Sequence, residues 1–291
     1  MPFGPLISAE GLRSTLGPIR LLDARSGAEA YASGHLAGAL HADLDLQLSA
    51  ASQPLFDPSK GGRHPLPALA TWAGQLGAWG IGPATRVVAY DATSGGNAAC
   101  RLWWMLRSVG HQPVVVLDGG LQAAQAAGLP LTTAPPAQFA ALAPYPCEAW
   151  RRPTVGIEAV VRLLEDPAWK VLDVRSRERW RGEVETLDPV AGRIPGTLNL
   201  PYAENLDPTG RFKPPSALRE MYLELLGGTP PERLAVHCGS GVTACHTLLA
   251  LELAGLQGAS LYVGSFSEWC RSGRPLGRGP DRRSLAGAGR L

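Results

Sequence analysis

The sequence contains no run of about 18 apolar residues, so no segment reads as a membrane-spanning helix. It has only five cysteines in 291 residues, scattered and without a CxxC pair, which excludes a disulfide scaffold and a structural zinc module. No glycine-rich cofactor fingerprint and no metal-ligating cluster occurs, so neither cofactor nor metal is expected. The opening stretch MPFGPLISAEGLRSTLG lacks the basic head and apolar stretch of a secretory signal and the Arg- and Ser-rich pattern of an organelle presequence. With so few thiols, a reducing, cytoplasmic setting fits best.

Charged residues are also few, at 18%, whereas 45% of the chain is apolar, the balance of a globular protein long enough for two domains. The formal net charge is +2. Residues 271–291 hold six arginines (Arg271, Arg274, Arg278, Arg282, Arg283, Arg290) against Asp281, a local +5 that leaves −3 for residues 1–270. An acidic body argues against a nucleic-acid partner. The Gly- and Arg-rich tail reads as solvated and mobile.

What the chain does have is an internal repeat. RLLDARS at 20–26 returns as KVLDVRS at 170–176, and GHLAGAL at 34–40 as GRIPGTL at 192–198. RVVAYDA at 86–92 corresponds to RLAVHCG at 233–239, LDGGL at 117–121 to YVGSF at 262–266, and GLPL at 128–131 to GRPL at 273–276. The segment between the copies, residues 132–154, carries five prolines, which suits a semi-rigid connector. The expected division is 1–133, a linker at 134–153, 154–276, and a mobile basic tail at 277–291.

Each copy alternates short apolar runs (IRLLD, RVVAYD, VVVLD; KVLDV, RLAVHC, SLYVG) with longer helical patterns such as ACRLWWMLRSVG and TACHTLLALELAG. Continuous apolar runs suit strands buried on both faces. The expected fold class is therefore α/β: two tandem domains, each a mostly parallel sheet with helices on both faces. Ligands of such sheets bind beyond the carboxyl ends of the strands.

Cys238 stands at such an end. It follows LAV-His237 and opens CGSGVTACHTLL, where a helix is expected to begin at Val242 or Thr243. Successive backbone N–H groups in that turn, together with the helix N-terminus, favour an anion and hence a thiolate. Gly239 and Gly241 permit the backbone angles required. Thr243 is expected to cap the helix or aim its hydroxyl into the loop. Cys245, Cys100, Cys147 and Cys270 read as filling residues, and Asp91 occupies the matching position of the first copy, which leaves one nucleophile per chain. A phosphatase would carry Cys-x5-Arg to clamp its oxyanion, but the sixth residue after Cys238 is Ala244.

The repeated Asp-x-Arg and Gly-x-x-x-Gly patterns, the CGSGVTAC loop, RLWWM at 101–105 and YVGSFSEW at 262–269 together resemble the two-domain rhodanese-like sulfurtransferases, over nearly the whole chain to about residue 276. The resemblance implies a catalytic second domain that carries sulfane sulfur as a persulfide on Cys238. It implies a small-molecule sulfur donor and a thiol acceptor, such as a thioredoxin-like protein or a small thiol, or cyanide. Thiosulfate-preferring members resemble CRKGVT and mercaptopyruvate-preferring members CGSGVT, so neutral Gly239 and Ser240 point to 3-mercaptopyruvate, with Gly241, Val242 and Thr243 completing the loop. Carried over by motif, Ser240, His64 (in GRHPLP) and Asp45 (in ADLDLQ) form a relay across the domains. Arg179 matches the arginine that takes the donor carboxylate. Animal members carry a second arginine where this chain has Leu187, and Arg101 is a candidate to supply the missing charge. Trp180, Phe266 and Trp269 are expected at the pocket wall or in packing, and the repeated pairs Asp23–Arg25 and Asp173–Arg175 in structural roles. A non-catalytic binding module remains the alternative of a different class.

Overall fold

The computed structural model describes residues 4–136 and 138–280. The apolar runs form strands: β1 (Leu6–Ile7), β2 (Ile19–Asp23), β3 (Leu40–His41), β4 (Arg86–Tyr90) and β5 (Val114–Leu117) in the first copy. The second copy supplies β6 (Thr154–Val155), β7 (Lys170–Asp173), β8 (Leu198–Asn199), β9 (Leu234–His237) and β10 (Ser260–Tyr262). The first sheet has the order β1-β5-β4-β2-β3 and the second β6-β10-β9-β7-β8, with every neighbouring pair parallel. The two orders are identical strand for strand, as a repeat of the same folding unit requires. One small antiparallel pair, His35–Leu36 with Leu131–Thr132, lies outside the sheets.

Alternation along each strand divides the core. Val87 and Ala89 of β4 face a large core shared with the helices Leu69–Ala78 and Ala99–Ser108, while Val88 and Tyr90 face a smaller one with Leu12, Leu121 and Ala124. In the second sheet Leu234 and Val236 join the large core, and Ala235 turns toward Val160, Phe266 and Trp269. Helices thus cover both faces of each sheet. The large core runs through both domains because helix Ala99–Ser108 packs on its counterpart Ala244–Leu253.

The repeated Asp-x-Arg pairs are buried clamps. Arg25 forks onto Asp23 and reaches the Gly34 carbonyl, and Arg175 forks onto Asp173 and reaches that of Gly192. Each pair ties a strand end to the glycine motif that follows it. The connector runs along the first domain, where Leu142 N–H donates to the Gly77 carbonyl and Tyr145 N–H to that of Ala73. The tail expected from 277 begins as ordered chain: Gly277 pairs with Arg193, and Gly279 N–H donates to the Arg181 carbonyl. Residues 281–291 lie outside the described residues. No helix among the described residues is long and apolar enough to cross a membrane.

Burial lowers the pKa of His64 and of His111 to about 4 and that of His246 to about 3. The unfolded chain takes up these protons from about pH 6.5 downward, whereas the folded protein does so only near 4 and below. Between those values the unfolded state binds more protons, so stability decreases as the pH is lowered. Urea titrations at pH 7.5 and pH 5 are expected to differ by at least ~2 kcal/mol, with the acidic sample less stable. An unchanged midpoint would contradict burial of neutral imidazoles.

Candidate active site

Cys238 follows β9 directly, is 3% exposed, and is buried with the rest of its loop except the half-buried Thr243. Its own N–H donates to Ser265 Oγ at 3.2 Å, and Ser265 donates to the Tyr262 carbonyl at 2.9 Å. Ser265 holds φ +55, a costly backbone for a non-glycine residue, and thereby fixes the first residue of the loop. Phe266 N–H and Ser267 N–H donate to the carbonyls of Cys238 and Gly239, which turns those carbonyls away and leaves the loop amides inward. At Gly241 φ is +74, and a Cβ would stand 2.4 Å from the Val263 carbonyl oxygen, so only glycine fits. Val242 contributes backbone to the loop and buries its side chain in the large core.

The helix begins at Ala244, later than the sequence pattern indicates. Thr243 does not cap it through its hydroxyl: its φ of −65 and ψ of −23 are already helical, whereas a capping side chain needs an extended residue. Among the described residues, the backbone N–H groups of Gly239, Ser240, Gly241, Val242, Thr243 and Ala244 donate to no protein acceptor. They form no bond to Cys238 Sγ either, so the expected convergence on the thiol sulfur itself is absent. Buried N–H groups without a partner are rare and costly, and six open donors in succession, five of them on buried residues, make a loop preset for an anion.

The first domain supplies an internal comparison. Asp91 follows β4 as Cys238 follows β9, and its carboxylate accepts N–H bonds from Thr93 (2.8 Å), Gly95 (2.9 Å), and Asn97, Ala98 and Ala99 (3.1 Å each). In one copy the loop closes on its own anion. In the other the equivalent donors stand open beside a cysteine.

His64 reaches this loop from the first domain. Its Nδ1 lies 2.7 Å from Ser240 Oγ, and its Nε2 lies 3.1 Å from Asp45 Oδ1. The three residues paired by motif therefore meet in one hydrogen-bonded chain. Burial and the neighbouring Arg63 charge keep the imidazole neutral to about pH 4, against the opposing pull of Asp45. The tautomer that satisfies both contacts carries its proton on Nε2 toward Asp45, so Nδ1 accepts from the Ser240 hydroxyl. The loop bearing His64 is held by the second domain: Gly61 N–H donates to Glu268 at 2.9 Å and Arg63 N–H to Ser267 Oγ at 2.9 Å. A Cβ on Gly62 would lie 2.2 Å from the Gly264 carbonyl oxygen.

Arg101, a candidate for the donor carboxylate, is fully buried at the domain boundary and is unavailable for that task. Its Nη1 donates to the Gly241 carbonyl at 3.1 Å and its Nη2 to the His64 carbonyl at 3.2 Å. It ties the cysteine loop to the histidine loop, a role set by its place at the start of the interdomain helix. Arg179 does approach the loop, with Nη2 3.5 Å from where a Gly239 Cβ would be. Its fork is occupied, however, by Glu185 at 2.7 and 2.9 Å from Nη2 and 3.2 Å from Nε. Burial favours the protonated acid, but Arg179 and the Leu187 and Asp188 amides outweigh it and hold Glu185 below its usual range.

Leu187 points into solvent, 56% exposed. Trp180, Phe266 and Trp269 are packing residues: Arg193 lies over the Trp180 ring, Arg175 over that of Phe266, and Trp269 Nε1 donates to the Pro275 carbonyl. All five cysteines are free. Burial pushes the Cys245 thiol up to about 12 and raises that of Cys100, so these remain inert thiols. Among the described residues no cluster of His, Cys, Asp and Glu could hold a metal ion.

Fold and site together define a tandem α/β protein with one cysteine-loop centre, built where its two copies meet. A rhodanese-like domain model matches residues 8–127 and again 157–272. The chain belongs to the rhodanese-like family. It is 41% identical to the "Probable 3-mercaptopyruvate sulfurtransferase" of Pseudomonas aeruginosa, over 92% of this chain and 96% of that protein. It is 36% identical to the 3-mercaptopyruvate sulfurtransferase of Homo sapiens, over 92% of this chain and 91% of that one. The solved 3-mercaptopyruvate sulfurtransferase from Leishmania major superposes with a TM-score of 0.80 at 28% identity, covering 98% of this chain and 78% of that one.

Three residues at the site have no counterpart in the sequence reading: Arg63, Glu185 and Asp188. Arg63 Nε lies 3.1 Å and Arg271 Nη1 2.8 Å from Asp188 Oδ1, a carboxylate with no exposed surface. The only signal in the sequence was the position of Arg63 beside His64 and of the two acids on either side of Leu187.

Proposed function

We propose that this chain is a sulfurtransferase that moves a sulfane sulfur from 3-mercaptopyruvate to a thiol or cyanide through a persulfide on Cys238. The observation that carries the reading is the row of six open amides around Cys238, five of them on buried residues, set against the closed carboxylate loop of Asp91. Such a loop is built to hold an anion larger than the resting thiol, and a persulfide anion extends from Sγ by one sulfur.

In the first step the Cys238 thiolate attacks the donor sulfur. An S–S bond forms, the donor S–C bond breaks, and its electron pair leaves on the methylene carbon as the enolate of pyruvate. The donor's S–H proton moves to that carbon, so a thiolate and mercaptopyruvate become a persulfide anion and pyruvate with no outside reductant. Ser240 and neutral His64 are positioned to carry this proton, with Asp45 stabilising the imidazolium that forms in transit. In the second step the acceptor thiolate or cyanide attacks the outer sulfur and the Cys238 thiolate departs. Separating the two half-reactions is covalent nucleophilic catalysis.

The acceptor is a small thiol or a thioredoxin-like protein, and the five unpaired thiols fit a reducing, cytoplasmic setting. Thiosulfate would charge the same cysteine. The absence of a basic side chain at Gly239 and Ser240 favours mercaptopyruvate. Initial rates over a grid of donor and acceptor concentrations are expected to give parallel double-reciprocal lines, with kcat/KM higher for mercaptopyruvate than for thiosulfate. Intersecting lines would remove the persulfide, and the reverse donor order would reassign the donor.

A further inference from the structure

A second cleft lies at the far end of the domain boundary. Helices Ala99–Ser108 and Ala244–Leu253 run to it from the active site: Arg101, near one end, is bonded to the cysteine and histidine loops, and Arg107, near the other, lines the cleft. Six residues of helix, about 9 Å, separate those two arginines. Pro153 precedes β6 and Ala259 precedes β10, so the cleft opens at the amino ends of the strands, on the side opposite Cys238. Its volume is about 250 Å³. Trp104, Leu248, Leu251 and Leu256 give it an apolar wall, and Arg107, Arg151, Arg152 and Glu252 a polar one.

Three guanidinium groups therefore face one carboxylate. Glu252 accepts from Arg152 Nη2 at 2.5 Å and from Arg107 Nη2 at 3.3 Å. The carboxyl ends of the two helices add about half a negative charge each. Together with Glu252 they offset two arginines, and the third has no counter-charge in the cleft. Exposed Glu232 packs beside Gly258 on the rim but pairs with none of the three. Burial and the neighbouring Arg152 charge hold Arg107 below its ordinary pKa against the pull of Glu252, as befits a cluster short of negative charge.

Arg151 is the cation left over. Among the described residues its side chain donates to no protein acceptor, and Arg152 likewise leaves Nε and Nη1 open. Neither is loose. Arg151 N–H donates to the Ser108 carbonyl at 2.7 Å, and its guanidinium lies against Gly110, where a Cβ would stand 3.0 Å from Nη1. Arg152 lies over the Trp103 ring, 4.6 Å from its centre.

We propose that this cleft binds a small organic oxyanion, with Arg151 and the open edge of Arg152 taking the charged group and the wall of Trp104, Leu248, Leu251 and Leu256 covering an apolar body. Guanidinium edges without an internal partner give up no protein bond to a carboxylate or phosphate. A bare inorganic ion would leave the apolar wall uncovered, so the ligand class is an oxyanion on a ring or short chain, of about ten non-hydrogen atoms for a cleft at the small end of ligand sites. Its occupancy is read without any turnover at Cys238.

Calorimetric titration with phenyl phosphate and with benzoate, against inorganic phosphate, tests the site. At least one aromatic anion is expected to bind with a Kd of about 0.1 to 1 mM and about tenfold or more tighter than inorganic phosphate. Arg151→Met removes a guanidinium that holds no other group, and it is expected to weaken that binding at least about tenfold. Gln257→Glu, at an exposed position of the lining, sets a repelling carboxylate in the mouth and is expected to weaken it as well. No binding of either aromatic anion, or inorganic phosphate binding as tightly as both, would overturn the proposal. Affinity unchanged in both variants would place the ligand elsewhere, the cysteine loop included, and would overturn it equally.

Discussion

Cys238→Ser is expected to lower sulfur transfer by at least about 10⁴-fold with either donor, while leaving the fold and the thermal midpoint essentially intact. Serine is close to cysteine in volume, so the buried loop around residue 238 keeps its bonds to Ser265, Phe266 and Ser267. The loss is chemical. A hydroxyl is not ionised at neutral pH, and its oxygen forms no stable link to sulfane sulfur. No other thiol can take over: Cys245 lies on the adjacent helix, but burial holds it as a neutral thiol with a pKa near 12. Rates measured for both donors decide the matter, and residual turnover within about a hundredfold of wild type would place the nucleophile elsewhere.

His64→Ala is expected to reduce turnover with mercaptopyruvate by roughly 10²- to 10³-fold and turnover with thiosulfate by far less. The two donors differ in what leaves. Mercaptopyruvate releases an enolate that must gain a proton on carbon, whereas thiosulfate releases sulfite, a stable anion that needs none. His64 is bonded to Ser240 on one side and Asp45 on the other, and burial keeps it neutral well below pH 7. It can therefore accept the Ser240 proton throughout the neutral range. Equal losses with the two donors would show that His64 only supports the domain boundary and carries no proton.

Much of this was legible in the sequence, for identifiable reasons. Runs such as IRLLD and RLAVHC mark buried parallel strands, and their repeated order predicts the repeated strand order of the two sheets. Cys238 was legible because a cysteine between a strand end and a glycine turn has few structural explanations. The meeting of Asp45, His64 and Ser240 was legible only through the family resemblance, since no local pattern links residues 45, 64 and 240.

The remainder depends on tertiary charge placement. Arg101 resembles a ligand residue in sequence, yet the packing of the two central helices buries it against two carbonyls. Arg179 carries the expected motif, but Glu185 six residues later folds back onto it. Arg63 was obscured by its neighbour His64, and its bond to Asp188 of the other domain depends on how the two domains meet. The role of Asp91 was half visible. Its chemistry excluded a second nucleophile, but that its carboxylate fills the equivalent amide loop is a matter of backbone geometry.

The central claim is that Cys238, within its open amide loop, carries the transferred sulfur. Intact-mass measurement of the protein after brief exposure to 3-mercaptopyruvate and removal of the donor, with peptide mapping of the product, tests it most directly. One added sulfur atom on the peptide containing Cys238, lost on treatment with cyanide and absent from Cys238→Ser, is the predicted result. An unmodified protein, or sulfur mapped to another cysteine, would contradict the account.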